Sequence, residues 1–299
     1  MENKEVEVKT KEIAIISGKG GTGKTVITGA LSSLAENKVI CDCDVDAANL
    51  HFILNPEIKE TRDFIGGEIA RIDEDKCTQC MKCVEVCRWD AIEGEPLTVL
   101  EQFCEGCAAC IYVCPVDAIE MNENKSGELF ISESRVGPMV HARLGIAEDN
   151  SGKLVSEVRK EALIIAEEKG LDTIIIDGPP GIGCPVIASI TGANLAIVVT
   201  EPTVSGAHDL VRVLELTAKF RLPTVVIVNK FDINRDITES IKDESKKYGS
   251  KVVGVVSYHE GVIDSIREAK TIIEAGPSEL KVEITNIWET VKKEHLNGR

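Results

Sequence analysis

Short apolar runs recur along this chain, separated by stretches whose apolar residues return every three or four positions. Lys11–Ser17 is a compact β-branched run, and a glycine-rich stretch follows it at once. Val26, Ile27, Ala30, Leu31 and Leu34 then give Thr22–Ala35 the spacing of an amphipathic helix. Lys38–Cys43 reads as the next strand. After a long middle region the pattern resumes, with strands over Thr173–Asp177, Leu195–Thr200, Thr224–Val228 and Lys251–Val256. Helical spacing covers Leu154–Lys169 and Val204–Phe220. Uninterrupted apolar strands alternating with amphipathic helices predict an α/β fold built on a mostly parallel sheet. Ile284, Ile287, Trp288 and Val291 form a last helical stripe beside Lys292 and Lys293. Packing of that stripe on the sheet is the expectation, over an amphipathic membrane contact.

The middle region breaks this rhythm and is rich in cysteine and acidic residues. It contains one unit twice: Cys77-Thr-Gln-Cys80-Met-Lys-Cys83-Val-Glu-Val-Cys87, ending in Asp-Ala-Ile-Glu, and Cys104-Glu-Gly-Cys107-Ala-Ala-Cys110-Ile-Tyr-Val-Cys114 with the same ending. Two copies of one unit imply a small pseudo-symmetric module, too short to stand on an apolar core alone. Eight of the eleven cysteines lie in these repeats. Thiolates in fours suit zinc or iron–sulfur clusters, and the spacing C-x₂-C-x₂-C-x₃-C favours the clusters.

Gly18-Lys19-Gly20-Gly21-Thr22-Gly23-Lys24-Thr25 fits the phosphate-binding pattern G-x-x-x-x-G-K-[ST] and lies between a predicted strand and a predicted helix. Glycines let backbone N–H groups close around phosphate oxygens, and the helix N-terminus adds partial positive charge. Lys24 is expected on the β- and γ-phosphates and the Thr25 hydroxyl on Mg²⁺. Asp177 ends an isoleucine strand, so its carboxylate should emerge at the carboxyl edge of the sheet and serve Mg²⁺ through water. Gly178–Gly183, with Gly181 at the nucleotide, has the composition of a mobile switch. Asn229-Lys230-Phe231-Asp232 formally matches the guanine-reading N-K-x-D pattern.

Lys19, Asp42-Cys-Asp44 and Asp177-Gly-Pro-Pro-Gly-Ile-Gly183 together resemble the ParA/MinD-like ATPases, a family that includes the nitrogenase iron protein. The resemblance implies a doubly wound P-loop fold, ATP rather than GTP, and an adenine contact by Asn229. It implies a nucleotide-dependent homodimer in which Lys19 reaches the partner's phosphates. It makes Asp44 the carboxylate that orients water and leaves Asp42 a Mg²⁺ or structural role. The cysteine repeats resemble a two-cluster bacterial ferredoxin, in which the fourth cysteine of each run serves the other cluster. Carried over, one 4Fe–4S cluster takes Cys77, Cys80, Cys83 and Cys114, and the other Cys104, Cys107, Cys110 and Cys87. Cys114-Pro115 follows the ferredoxin pattern; Cys87-Arg88 departs from it without removing a ligand.

Together the two resemblances point to MinD-superfamily ATPases with an inserted ferredoxin domain. They imply an ATPase domain over 1–71 and 124–299 and a small α+β insert over 72–123. The leading functional expectation is ATP-gated electron transfer to a redox partner protein. An ATP-dependent cluster carrier working with iron–sulfur partner proteins, or a redox-sensing regulatory ATPase, are the alternatives.

Charge narrows the partners. A formal net charge of -16 offers no basic surface for nucleic acid and none for an anionic membrane. The first ten residues are charged and carry no apolar stretch, and no run approaches the roughly 18 apolar residues of a spanning helix. A cytoplasmic location is expected, where cysteines serve as ligands rather than disulfides. Cys184, seven residues beyond Asp177, reads as structural or modulatory, and His141 and His208 carry no ligand pattern.

Overall fold

A computed structural model describes residues 10–145 and 151–296. The chain opens with β1 (Lys11–Ser17), α1 (Lys24–Leu34), β2 (Lys38–Asp42), α2 (Leu50–Leu54) and β3 (Glu57–Ile72). The cysteine repeats carry α3 (Lys82–Val86), β4 (Ile92–Glu93), β5 (Thr98–Val99) and α4 (Ala109–Val113). Two further strands, β6 (Ile119–Ser134) and β7 (Gly137–Leu144), lead into α5 (Ser151–Lys169), β8 (Thr173–Pro180) and α6 (Cys184–Ile190). Then come β9 (Leu195–Thr200), α7 (Val204–Lys219), β10 (Thr224–Asn229), α8 (Arg235–Lys247) and β11 (Lys251–Val256). The helices α9 (Gly261–Arg267), α10 (Ile272–Ala275) and α11 (Ser278–Val291) close the order.

Two compact units divide these elements. The first takes in the described residues up to Thr61, Leu129–Arg143, and those from Ser151 on. The second takes in Arg62–Glu128 and the described residues from Leu144. The cysteine-bearing unit is thus wider than the expected 72–123, because β3 and β6 run well past both ends of the repeats.

In the first unit the strand order is β11-β10-β9-β1-β8-β2-β7, continued by the ends of β6 and β3 that belong to it. The strands from β11 to β7 pair in parallel. Parallel strands must be covered on both faces, which is why β1, β8 and β9 are apolar and buried along nearly their whole length. One core joins Ile13, Ile15, Ile27, Leu31, Ile175, Ile197, Val199 and Ile227. The C-terminal stripe belongs to it: Ile284, Ile287, Trp288 and Val291 are each at most 3% exposed. Among the described residues no helix is long and apolar enough to cross a membrane.

Register sets up the site. Asp42 on β2 stands opposite Asp177 on β8, and Ile15 on β1 stands opposite Asp177 from the other side. Two carboxylates therefore meet at one point of the sheet, beside the loop that leaves β1.

The second unit keeps the pseudo-symmetry of its sequence. Helices α3 and α4 occupy equivalent places, each entered through a left-handed residue, Met81 (φ 64°) and Ala108 (φ 59°). Gln79 and Gly106 are a second left-handed pair, Asp90 and Asp117 a third. At Gly106 a Cβ would come within 2.3 Å of the Glu68 carbonyl oxygen, so glycine is required there on space as well as conformation. The core of this unit is small: Ala70, Ile92, Leu97 and Ile119 pack with Cys83 and Cys110, and Cys77, Cys87, Cys104 and Cys114 pack against them.

Candidate functional site

The loop from Gly18 to Thr25 connects β1 to α1, where the sequence pattern places it. Gly21 (φ 82°) and Gly23 (φ 86°) take left-handed backbone that turns the chain into the helix. Gly23 is also hemmed in: a Cβ would lie 2.3 Å from Asn229 Nδ2. Gly20 and Gly21 have open space around them.

Lys24 is buried, and its ammonium donates to Asp177 Oδ1 at 2.8 Å with Asp44 Oδ2 at 3.7 Å. The Thr25 hydroxyl is 3.5 Å from Nζ. Burial works against the charge on Lys24, yet Asp177, Asp44 and Asp42 outweigh it and hold its pKa above the usual lysine value. Thr28 Oγ1 donates to the same Asp177 oxygen at 2.7 Å. Asp177 Oδ2 is buried and has no hydrogen-bond partner.

Asp42 is fully buried and accepts the backbone N–H of Leu50 at 3.0 Å and that of Asp44 at 3.2 Å. Burial and the neighbouring Asp177 push its carboxyl up to about 8. Its hydrogen bonds brace the segment that carries Asp44. Asp44 rises to about 6 through burial, with Lys24 opposing and Asp177 adding to the shift. Three carboxyl groups gathered around one lysine crowd acidic groups into a confined space, which is why Asp42 and Asp44 are both shifted up. An unpartnered, buried Asp177 oxygen and the hydroxyl of Thr25 are oxygen donors of the kind that fits a magnesium ion.

Gly181 and Asn229, the other expected nucleotide contacts, both make hydrogen bonds within the protein. Gly181 N–H donates to the Ser17 carbonyl at 2.8 Å, so its amide is committed to the protein. Asn229 Nδ2 donates to the Thr22 carbonyl at 2.8 Å and Oδ1 accepts from Lys230 N, bracing the P-loop from β10. Asn229 and Gly23 also line a cavity whose other walls are largely apolar, Val26, Ile27, Val256 and Val262, closed by Tyr258 and His259. An apolar slot beside the P-loop suits a nucleobase. Asp232, the last residue of N-K-x-D, spends Oδ1 on Tyr258 N–H at 2.8 Å. Lys19 is held by Glu201, Thr203 and Ser205 of its own chain, a socket that the sequence pattern did not announce.

In the second unit the cysteines fall into two sets. Cys87, Cys104, Cys107 and Cys110 line one small cavity with Trp89, Ile92 and Met121. Cys77, Cys80, Cys83 and Cys114 line another with Leu97, Val116 and Ile119. Each set takes three cysteines from one repeat and the fourth from the other. Backbone N–H groups point at four of the sulfurs: Ala91 to Cys87, Ala118 to Cys114, Ala70 to Cys104 and Gln79 to Cys77, at 3.2–3.5 Å. Burial pushes the Cys83 and Cys110 thiols up, whereas Cys80 and Cys107 are exposed. No group of three or more His, Cys, Asp or Glu among the described residues converges so as to hold a single metal ion.

Cys184 opens α6 and is exposed, while Cys41 and Cys43 are buried on and beside β2. His141 is buried against His51 and Phe130, with Ser132 Oγ at 3.1 Å.

Comparison with known proteins agrees with this geometry. The pattern of the CobQ/CobB/MinD/ParA nucleotide binding domain matches residues 13–272. Uncharacterized protein MJ0578 of Methanocaldococcus jannaschii is 40% identical over 227 residues, which cover 75% of this chain and 79% of that protein. Uncharacterized protein MJ0579 of the same organism is 27% identical over 225 residues, 74% of this chain and 81% of that protein. The septum site-determining protein MinD of Pyrococcus horikoshii, solved with Mg-ADP, superposes with a TM-score of 0.59 at 19% identity. That match covers 95% of this chain and 96% of the MinD chain. A parallel sheet, a P-loop between β1 and α1, a buried Lys24 and a pattern match over most of the length lead to one conclusion: the chain belongs to the CobQ/CobB/MinD/ParA nucleotide-binding family.

Proposed function

We propose that this protein binds and hydrolyses ATP as a nucleotide-dependent homodimer, and that ATP gates electron transfer to a partner protein through two four-iron clusters. The observation that carries the second half is the sorting of the eight cysteines. Each cavity is rimmed by the crosswise set that a two-cluster ferredoxin uses, Cys77, Cys80, Cys83 with Cys114, and Cys104, Cys107, Cys110 with Cys87. The N–H groups aimed at four sulfurs would stabilise thiolate charge and tune a bound cluster. When bound, such clusters supply one-electron chemistry.

Lys24 and the P-loop amides would hold the phosphates, and Asp177 with Thr25 the magnesium ion. Asp44, at the mouth of the site, would orient the attacking water. A phosphate entering the loop has to take the Lys24 ammonium from Asp177 and Asp44, so binding reorganises both carboxylate-bearing segments. The cysteine-bearing stretch is inserted in sequence between those two segments, which supports coupling of nucleotide state to its docking or potential. Reversing a two-state balance from 1:99 to 99:1 needs about 5.5 kcal/mol of differential binding, within reach of a charged phosphate network. Four protein ligands per cluster favour a resident electron carrier over a delivered cargo.

The test is electron-transfer rate to a small protein acceptor with ATP, ADP and no nucleotide. A rate that depends on the nucleotide supports the reading; identical rates remove the gating.

A further inference from the structure

Lys19 is the lysine expected to act on the phosphates of a second copy, yet its own chain satisfies it in full. Nζ lies 2.8 Å from Glu201 Oε1, 2.9 Å from Ser205 Oγ and 3.2 Å from Thr203 Oγ1. An ammonium has three hydrogens to donate, and three acceptors take them all. Nothing is left for a phosphate unless this socket opens.

The socket is electrostatically lopsided, and Glu201 is what holds it. Thr203 is the N-cap of α7: its Oγ1 accepts from Gly206 N–H at 3.0 Å, so Lys19 is docked at the positive end of a helix of sixteen residues. A cation is disfavoured at that end. The hydroxyls of Thr203 and Ser205 carry no charge to offset it; the carboxylate of Glu201 does. Its second oxygen accepts from Lys230 Nζ at 3.0 Å, and Lys230 also donates to the Gly21 carbonyl of the P-loop at 3.1 Å. Burial opposes ionisation of Glu201, but the two lysines outweigh it and hold the carboxyl below its ordinary value. One carboxylate thus ties Lys19 and, through Lys230, the phosphate loop to the start of α7.

We infer that Glu201 is a cis latch on Lys19, a positioning residue that keeps the lysine folded onto its own chain until a nucleotide-loaded second copy competes for it. The side chains of Lys19 and Glu201 are 28% and 14% exposed, so the pair is partly solvated and weak enough for a phosphate to break. Pairing of two chains breaks two such latches, which sets a threshold on dimer formation. The inference rests on the proposed function, in which Lys19 works across the dimer.

The experiment is sedimentation equilibrium of the full chain with Mg²⁺ and a non-hydrolysable ATP analogue, comparing wild type with Glu201→Gln. The variant should dimerise about tenfold more tightly at low salt, from two weak ion pairs no longer broken. High salt should shrink the difference, because screening already loosens the wild-type latch. Compared with Lys19→Ala alone, adding Glu201→Gln should give no gain in pairing, whereas an effect of Glu201→Gln that does not run through Lys19 would persist on that background. If Glu201→Gln misfolds, Ser205→Ala removes one acceptor while leaving the Thr203 cap, and should shift pairing the same way. Equal or weaker pairing of the folded variant, in a wild type that does dimerise, overturns the latch alone. Failure of both proteins to dimerise with the analogue overturns the latch together with the dimer on which it rests.

Discussion

Lys24 on α1 and Asp177 on β8 meet at 2.8 Å in the interior, with Asp42 and Asp44 beside them. The lysine neutralises carboxylates that otherwise repel one another in a buried space. Lys24→Ala should therefore abolish nucleotide binding and also destabilise the nucleotide-free protein by about 3 kcal/mol, the cost of orphaning a buried charge. Calorimetric titration with Mg-ATP and urea unfolding check the two halves. Retained binding would contradict the assignment of Lys24.

Arg135 clamps three partners at once. It donates to the carbonyls of Ile53 and Leu54 at the end of α2 and makes a two-point pair with Glu274. Hydrogen bonding from Arg135 is the main reason the Glu274 carboxyl is lowered to about 2. A carboxyl lowered in the folded state contributes stability above its unfolded pKa, and that contribution is lost as pH falls from about 4.5 towards 2. Arg135→Gln should cost about 1–2 kcal/mol at neutral pH, discounted for partial exposure, and the cost should shrink over that acid window. Thermal melts of both proteins as a function of pH measure it.

Crosswise sharing of cysteines can be separated from sharing within a repeat by paired substitutions. Cys87→Ser with Cys104→Ser touches one cavity, so iron should fall from about eight to about four per chain. Cys87→Ser with Cys80→Ser lies within a single repeat but touches both cavities, so iron should fall well below four. Iron analysis of anaerobic preparations reads the outcome. The reverse order would assign each cluster to its own repeat.

Because six of the cysteines belong to the small core of their unit, removing iron should loosen that unit first. Chelator treatment should expose Arg62–Glu128 to limited proteolysis while Mg-ATP binding by the rest persists. Cleavage spread evenly along the chain would contradict a core that depends on its metal.

Much of this could be read in the sequence, and the rest shows where patterns fail. Unbroken runs such as Ile174-Ile175-Ile176 exposed the buried parallel strands, because a strand covered on both faces needs no polar position. The long strands β3 and β6 stayed hidden in what looked like connecting region. Their residues are largely polar, and most of β3 is exposed, so neither alternation nor an apolar run marks them. The P-loop and the cysteine repeats were legible because chemistry fixes their spacing. The bracing of the loop by Asn229 and the docking of Lys19 on Glu201 were not, since each joins residues far apart in the chain that only the sheet order brings together.

The central claim is that nucleotide state and the cysteine-bound clusters influence one another. Its most direct measurement is paramagnetic resonance of anaerobically purified, reduced protein with Mg-ATP, with Mg-ADP and without nucleotide. The account predicts about eight irons per chain and a four-iron cluster signal that changes with Mg-ATP. A preparation holding zinc or no metal, or a cluster signal identical in all three states, would contradict it.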